Sequence, residues 1–280
     1  MKRGALANLA IYGAALALAL FTLAPLVWLG LMSVMSPTDL VRLPLQWLPS
    51  EWDFSRYARL VSAIGTQETD RFLAAMRNSV FTAAGASLIA VTAGTLAAYA
   101  FARRGAPIVL LFAMMATIMM PPITYVLPLY TSFSSLGMLN SIVTLIVVYC
   151  ALIVPFAAWL MRANIATLPV EVEYAAAVEG ASTWLTLRRI VLPMARPALA
   201  ATAMLSFLIA WDEFFYALIF TSDLRAKTLP VAIADFAAGR VTDYGLIATV
   251  GVLAALPPAL LALFFQKHLV SGLAAGSVKG

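Results

Sequence analysis

Residues Glu173 to Pro193 read "EYAAAVEGASTWLTLRRIVLP", a short polar passage between two long apolar ones. Just upstream, Pro169 suits a first helical position, since its φ is already helical and its missing N–H would have no partner there. Glu171 and Glu173 fall within the first turn, where carboxylates favour the positive end of the helix dipole. Ala175, Ala176 and Ala177 are the strongest helix formers and leave a slim, closely approachable face. Gly180 suits the left-handed residue that ends a helix. Ser182 then caps a second short helix, from Thr183 to about Val191, stopped before Pro193. In it Trp184, Leu187 and Val191 share one face, with Arg188 and Arg189 at headgroup level. The stretch predicts a two-part helical elbow. An ordinary interfacial helix would explain Trp184 and the arginines. It would not explain an alanine-rich first helix with so little bulk, which better fits a groove on another protein.

The flanking sequence says where this elbow lies. The chain has 280 residues, 63% hydrophobic and 11% charged, with a mean hydropathy of +0.94. A soluble domain would carry about 25% charged residues. Apolar runs of about 20 residues recur, each long enough to cross roughly 30 Å of hydrocarbon as a helix. They read as six spans: 9–32, 78–102, 107–131, 141–161, 197–220 and 244–266. The expected fold is all-α and polytopic, one transmembrane domain over 1–280 with six transmembrane helices. A soluble enzyme is excluded. The run from Leu9 to Met32 is longer than the about 7–15 residues of a signal-peptide core and reads as a retained helix. Cys150 is the single cysteine, so no internal disulfide forms. His268 is the single histidine and cannot build a metal site alone. No GxxxxGK[ST] loop occurs, so any nucleotide energy must come from a partner and no cofactor is expected on this chain.

The net charge of +5 is unevenly distributed. The segments on the side of both termini hold Lys2, Arg3, Arg103, Arg104, Arg162, Arg188, Arg189, Arg196, Lys267 and Lys279. Against these stand only Glu171, Glu173 and Glu179; on the opposite side acids and bases balance. Excess Lys and Arg mark the cytoplasmic face. Both termini and the elbow are therefore expected inside, and the basic balance reflects topology rather than a nucleic-acid partner.

Three other passages stand out. The connection 36–77, expected outside, carries Pro37, Pro44 and Pro49 with Trp47, Trp52, Phe54 and Tyr57. Such aromatics either anchor at the headgroups or face an external partner. The third span contains "MMPPITYVLPLY" (119–130), where Pro121, Pro122 and Pro128 remove backbone donors. Broken backbone survives in a membrane only where other helices or a cavity satisfy the freed groups. A simple kink and a bent helix beside a translocation path, with Pro122 and Tyr125 on it, are both open readings. The fifth span ends in "IAWDEFFYALIF" (209–220). Counted from Pro197, Asp212 lies about 22 Å along a helix. Asp212 and Glu213, with Phe215 beside them, either line a path or anchor a network, because ionisable groups are costly in lipid.

The elbow resembles the EAA loop of the inner-membrane subunits of ABC importers. That pattern has alanines after acids, a glycine, then nine residues to an isoleucine followed by x-Leu-Pro. Here these are Ala175, Ala176, Gly180, Ile190, Leu192 and Pro193. "RNSVF", "AYAFARR", "PPITYVLPLY", "WDEF" and the tail "FFQKHLVSGLAAGSVKG" are similar to MalG-type subunits of the carbohydrate-import branch. The resemblance implies a type I importer permease fold and a multi-pass location in the bacterial inner membrane. The subunit would have no ATPase site of its own. Its implied partners are a homologous second permease, two cytoplasmic ABC ATPases holding ATP and Mg, and a soluble binding protein delivering a sugar or sugar-like solute. The loop 163–196 would couple to the ATPases, and the tail 268–280, through Gly276 and Lys279, would make a second contact. One departure concerns the motif's glutamate, whose position holds Tyr174. Whether Glu173, Tyr174 or Glu179 takes its role stays open. The alternative, an ion-coupled secondary transporter, needs ionisable groups near the midplane, and Asp212 and Glu213 lie too far outward.

Overall fold

The computed structural model describes residues 5–61, 66–238 and 243–277, with side chains described between residues 8 and 266 of that set. Among the described residues there are helices and no strands. In chain order they are α1 (Ala5–Val34), α2 (Pro37–Leu40), α3 (Ser55–Val61), α4 (Gln67–Arg103), α5 (Ile108–Met119), α6 (Pro122–Ser135) and α7 (Ile142–Ile165). The elbow follows as α8 (Glu171–Val178), α9 (Thr183–Thr186), a π-helical turn (Leu187–Val191) and α10 (Leu192–Met194). Last come α11 (Arg196–Trp211), α12 (Phe215–Phe220), α13 (Leu229–Ala237) and α14 (Tyr244–Ser277).

Among the described residues, four helices are single apolar spans: α1, α4, α7 and α14. Two further expected spans are not continuous. The third breaks between α5 and α6, which bend by 92°. Met120 there is extended (ψ 132°) and so is Pro121 (ψ 128°). A residue before proline is pushed out of the α region, and two successive prolines force two such residues. The fifth is likewise interrupted: α11 ends at Trp211 and the helix restarts at Phe215. Its entrance is bent too, by 80° between the segment Thr183–Met194 and α11.

The helices gather into two compact units. One comprises 1–73 and 232–256. Its organising group is the buried Arg56 of α3, which donates to the carbonyl oxygens of Met35 (2.8 Å) and Ser33 (3.5 Å) and faces Asp243 at 3.6 Å. Gly245 makes this possible, since a Cβ there would sit 2.3 Å from Arg56 Cζ. Thr249 donates to the Ser33 carbonyl, and Ser33 Oγ shares a 2.7 Å hydrogen bond with Tyr57. The connection 36–77 is thus pinned at Arg56 and Tyr57, while Trp47, Trp52 and Phe54 are exposed.

The other unit comprises 74–231 and 257–280. Small residues govern it. Ala83, Ala86, Ala90 and Ala98 of α4 are fully buried. At Gly94 the helices come to backbone contact, a Cβ there lying 2.7 Å from Ala157 Cβ and 2.9 Å from the Ala158 nitrogen of α7. In lipid, helix association rests on such close approach, because tails are as apolar as leucine. Asn78 donates from its amide to the carbonyls of Leu224 and Lys227, both at 3.0 Å, and Ser79 accepts from the Leu229 N–H at 2.7 Å. These bonds fix the connection from α12 to α13 on α4. Gly94→Ala is expected to cost about 1–3 kcal/mol through overpacking, read as a lower melting temperature of the detergent-extracted protein. Gly13→Ala, where no atom lies within 4 Å of the added carbon, is the control and is expected to show no loss.

Candidate functional site

The elbow starts two residues later than expected. Pro169 precedes the helix, Val170 is its N-cap, and Glu171 and Glu173 occupy the first turn. One face of α8 rests on the protein through the buried Ala176. Across from it Tyr174 is 66% and Val178 89% exposed, with Val172, Ala175 and Glu179 also exposed. The end forms as the glycine predicts. Gly180 has φ +84°, its N–H donates to the Ala177 carbonyl (3.0 Å), and the Ala181 N–H donates to that of Ala176 (2.9 Å). This pair of bonds is the Schellman arrangement, which only a left-handed residue permits cheaply. Ser182 then accepts from the Leu185 N–H at 3.3 Å and caps α9.

The second half departs from expectation in two ways. The helix does not stop before Pro193. It passes through the π turn, where the Leu192 N–H donates to the Leu187 carbonyl, and continues to Met194. Proline in a helix interior normally lacks a donor and clashes with the carbonyl four residues back; a turn with i→i+5 bonds relaxes that conflict. Trp184, moreover, does not share a face with Leu187 and Val191. It is 60% exposed, whereas those two are buried in a cluster with Ala98, Tyr99, Met161, Ile165, Ala195 and Ala198. Leu192 packs against the same cluster, and Ile190 and Pro193 are half-buried. Of the motif, then, Tyr174, Ala175, Glu179 and Gly180 are exposed, while Ala176, Ile190, Leu192 and Pro193 hold the elbow on the body.

Glu173 belongs to the second group. Its Oε1 accepts from Arg103 Nε at 2.7 Å and its Oε2 from the Tyr99 hydroxyl at 3.1 Å. Arg103 Nη2 also donates to the carbonyls of Ile165 and Leu168, both at 2.8 Å. The Arg103 and Glu173 side chains are only 12% and 11% exposed. Arg104 donates to Thr183 Oγ1 and lies over the Tyr99 ring at 5.9 Å. In the sequence Arg103 and Arg104 stood out as positive charge on one side and as the end of "AYAFARR", with nothing to link them to Glu173. Glu173 itself was the available signal, an acid with no basic residue within four positions in its own helix.

The expected path residues fall at the two breaks. Tyr125 of α6 stacks on Tyr216 of α12 (centroids 6.3 Å apart). Together with Thr117, Met120, Phe133 and Val148 they line a cavity of about 330 Å³. Pro122 opens α6 and is exposed, and Phe215 meets Tyr216 edge-on at 5.5 Å. Asp212 and Glu213 do not sit in a continuous helix. Glu213 accepts from the N–H groups of Tyr216 (2.8 Å) and Ala217 (3.2 Å), capping α12, while Asp212 is exposed at the break. The Glu213 carboxylate is thereby held at the start of α12. In the tail, Gly276 lies in α14 with its backbone alone described, and Lys279 lies outside the described residues.

The described residues form an all-α chain with several membrane-length apolar helices and a capped helical elbow between two of them. Residues 90–274 match the model for the binding-protein-dependent transport system inner membrane component, and the chain belongs to that family. It is 33% identical over 285 residues to the trehalose/maltose transport system permease protein MalG of Thermococcus litoralis, covering 100% of both chains. It is 32% identical over 264 residues to the trehalose transport system permease protein SugB of Mycobacterium tuberculosis, covering 93% of each. A chain in the crystal structure of a bacterial ABC transporter involved in import of the acidic polysaccharide alginate shares the fold. Its TM-score is 0.74 at 21% identity, over 95% of this chain and 98% of that one. The fold is that of a type I ABC importer permease, and the subunit is a permease rather than the ATPase.

The two acids at the second break separate cleanly by experiment. Glu213→Ala is expected to lose about 0.5–2 kcal/mol, as removal of an N-cap does, seen as reduced yield and melting temperature of extracted protein. Asp212→Ala is expected to leave both unchanged.

Proposed function

We propose that this subunit moves a sugar or sugar-like solute into the cytoplasm by alternating access, driven by ATPases that grip α8. The observation that carries the reading is the exposed Tyr174–Val178 face on a helix closed at its end by Gly180 and held from behind by Glu173 and Ala176. A slim helix with one apolar ridge suits a groove on a soluble partner. The excess of arginines and lysines on the elbow's side supports a cytoplasmic partner and cytoplasmic termini. The relatives' names, trehalose and maltose permeases, support a carbohydrate load.

The partners in this reading are a homologous second permease, two ABC ATPases that bind ATP and Mg, and a soluble binding protein outside the bacterial inner membrane. Gly276 and Lys279 would add a second ATPase contact. ATP would act only through differential contact energy between the inward- and outward-facing states. A stiff elbow passes a displacement on where a loop would absorb it. The cavity at Tyr125, Phe133 and Tyr216, with Pro122, Phe215 and Asp212 at the same two breaks, is assigned to the path.

A bulky residue at position 180 tests this. No atom lies within 4 Å of an added Cβ there, so the penalty of Gly180→Val is conformational, about 1–2 kcal/mol for a left-handed residue. The variant is expected to insert and to hydrolyse ATP in the assembled importer while sugar uptake falls. Normal uptake would refute the elbow's role. Uptake that survives a block of ATP hydrolysis and stops when ion gradients collapse would establish the ion-coupled alternative instead.

A further inference from the structure

Glu173 sits inside the motif that couples to the ATPase, yet its carboxylate is turned into the subunit. Both of its oxygens are occupied, one by Arg103 and the other by Tyr99. These donors stand four residues apart on the last turns of α4, and so on one face. The Arg103 guanidinium reaches in two directions at once. Its Nε holds α8 through Glu173, and its Nη2 holds the Ile165 and Leu168 carbonyls at the end of α7. Five donors in a rigid plane allow this; a lysine offers a point charge on a flexible stem and cannot span the same three acceptors. Between α7 and α8 only residues 166–170 connect the chain, and beyond α8 lies the left-handed Gly180. Between these two joints α8 is held by the buried Ala176 and by this tie.

We infer that Arg103 is a positioning residue for energy coupling: through Glu173 it locks α8 to α4 and α7, so that a pull on the docked helix moves both spans. The inference rests on the docking reading above. It also settles the division of labour within the motif. The carboxylate holds the helix from behind, and the outward contact is left to the uncharged Tyr174 and Val178. The charge-assisted bonds suit this task, being shorter and stronger than neutral ones, and the pair is largely shielded from water.

The test uses the assembled importer in lipid vesicles, in a Val178→Cys parent whose thiol reports docking by cross-linking to the ATPase. Sugar uptake per ATP hydrolysed is measured for Arg103→Lys, Glu173→Gln, Tyr99→Phe and the exchange Arg103→Glu with Glu173→Arg. Arg103→Lys and Glu173→Gln are expected to keep the cross-link and ATP hydrolysis while uptake per ATP falls roughly 2- to 30-fold, the range for residues on a coupling network. Tyr99→Phe, which leaves the ion pair in place, is expected to show a smaller fall and covers the case in which the charge variants fail to insert. The exchange is expected to recover part of the loss. Unchanged uptake per ATP in Arg103→Lys would overturn the clamp. So would loss of the cross-link in Glu173→Gln alone, which would make Glu173 a docking residue. A parent that never cross-links would instead remove the docking reading itself.

Discussion

A single guanidinium group sits where α4 ends, α7 ends and α8 begins, and the cytoplasmic half of the proposed mechanism is organised around it. Arg103 satisfies the carbonyl of Ile165, which closes α7, that of Leu168 just beyond it, and one carboxylate of α8. Beneath it lies the apolar cluster of Ala98, Tyr99, Met161, Ile165, Leu187 and Val191. Polar tie and apolar floor act together. The cluster seats the π turn, the tie fixes α8, and the outward ridge of Tyr174 and Val178 is thereby presented at one orientation. A buried cation would be costly here without those three acceptors.

The same constraint, that polar groups away from water must be paired, explains the breaks in the spans. Irregular backbone at membrane depth survives where protein or a cavity accommodates it. At the second break Glu213 supplies the acceptor that the first N–H groups of α12 need. At the first, two successive prolines bring no N–H groups of their own to the turn. Both breaks adjoin the Tyr125–Tyr216 stack.

Much of this was legible in the sequence because the signals are local. The length and apolarity of the runs give the spans, and Gly180 followed by Ser182 gives the corner of the elbow. What escaped depends on distance or on subtle turn geometry. Arg103 and Glu173 are 70 positions apart, and only folding reveals that they meet. Glu213 was placed by counting along a straight helix, so its capping role vanished with the interruption. The π turn has no sequence mark that separates it from an α turn, and the exposure of Trp184 beside the buried Leu187 had none either. Pro121 and Pro122 announced a bend but not its 92°.

Gly94 has a mechanical consequence. Where α4 and α7 meet with no side chain larger than the Ala157 methyl between them, no layer of rotatable atoms is left to yield as a cushion. The two helices behave there as one plank, and compliance in this unit is pushed to the proline joint and the interrupted fifth segment. A lever needs a rigid arm as well as a hinge, and one glycine hydrogen keeps this arm stiff.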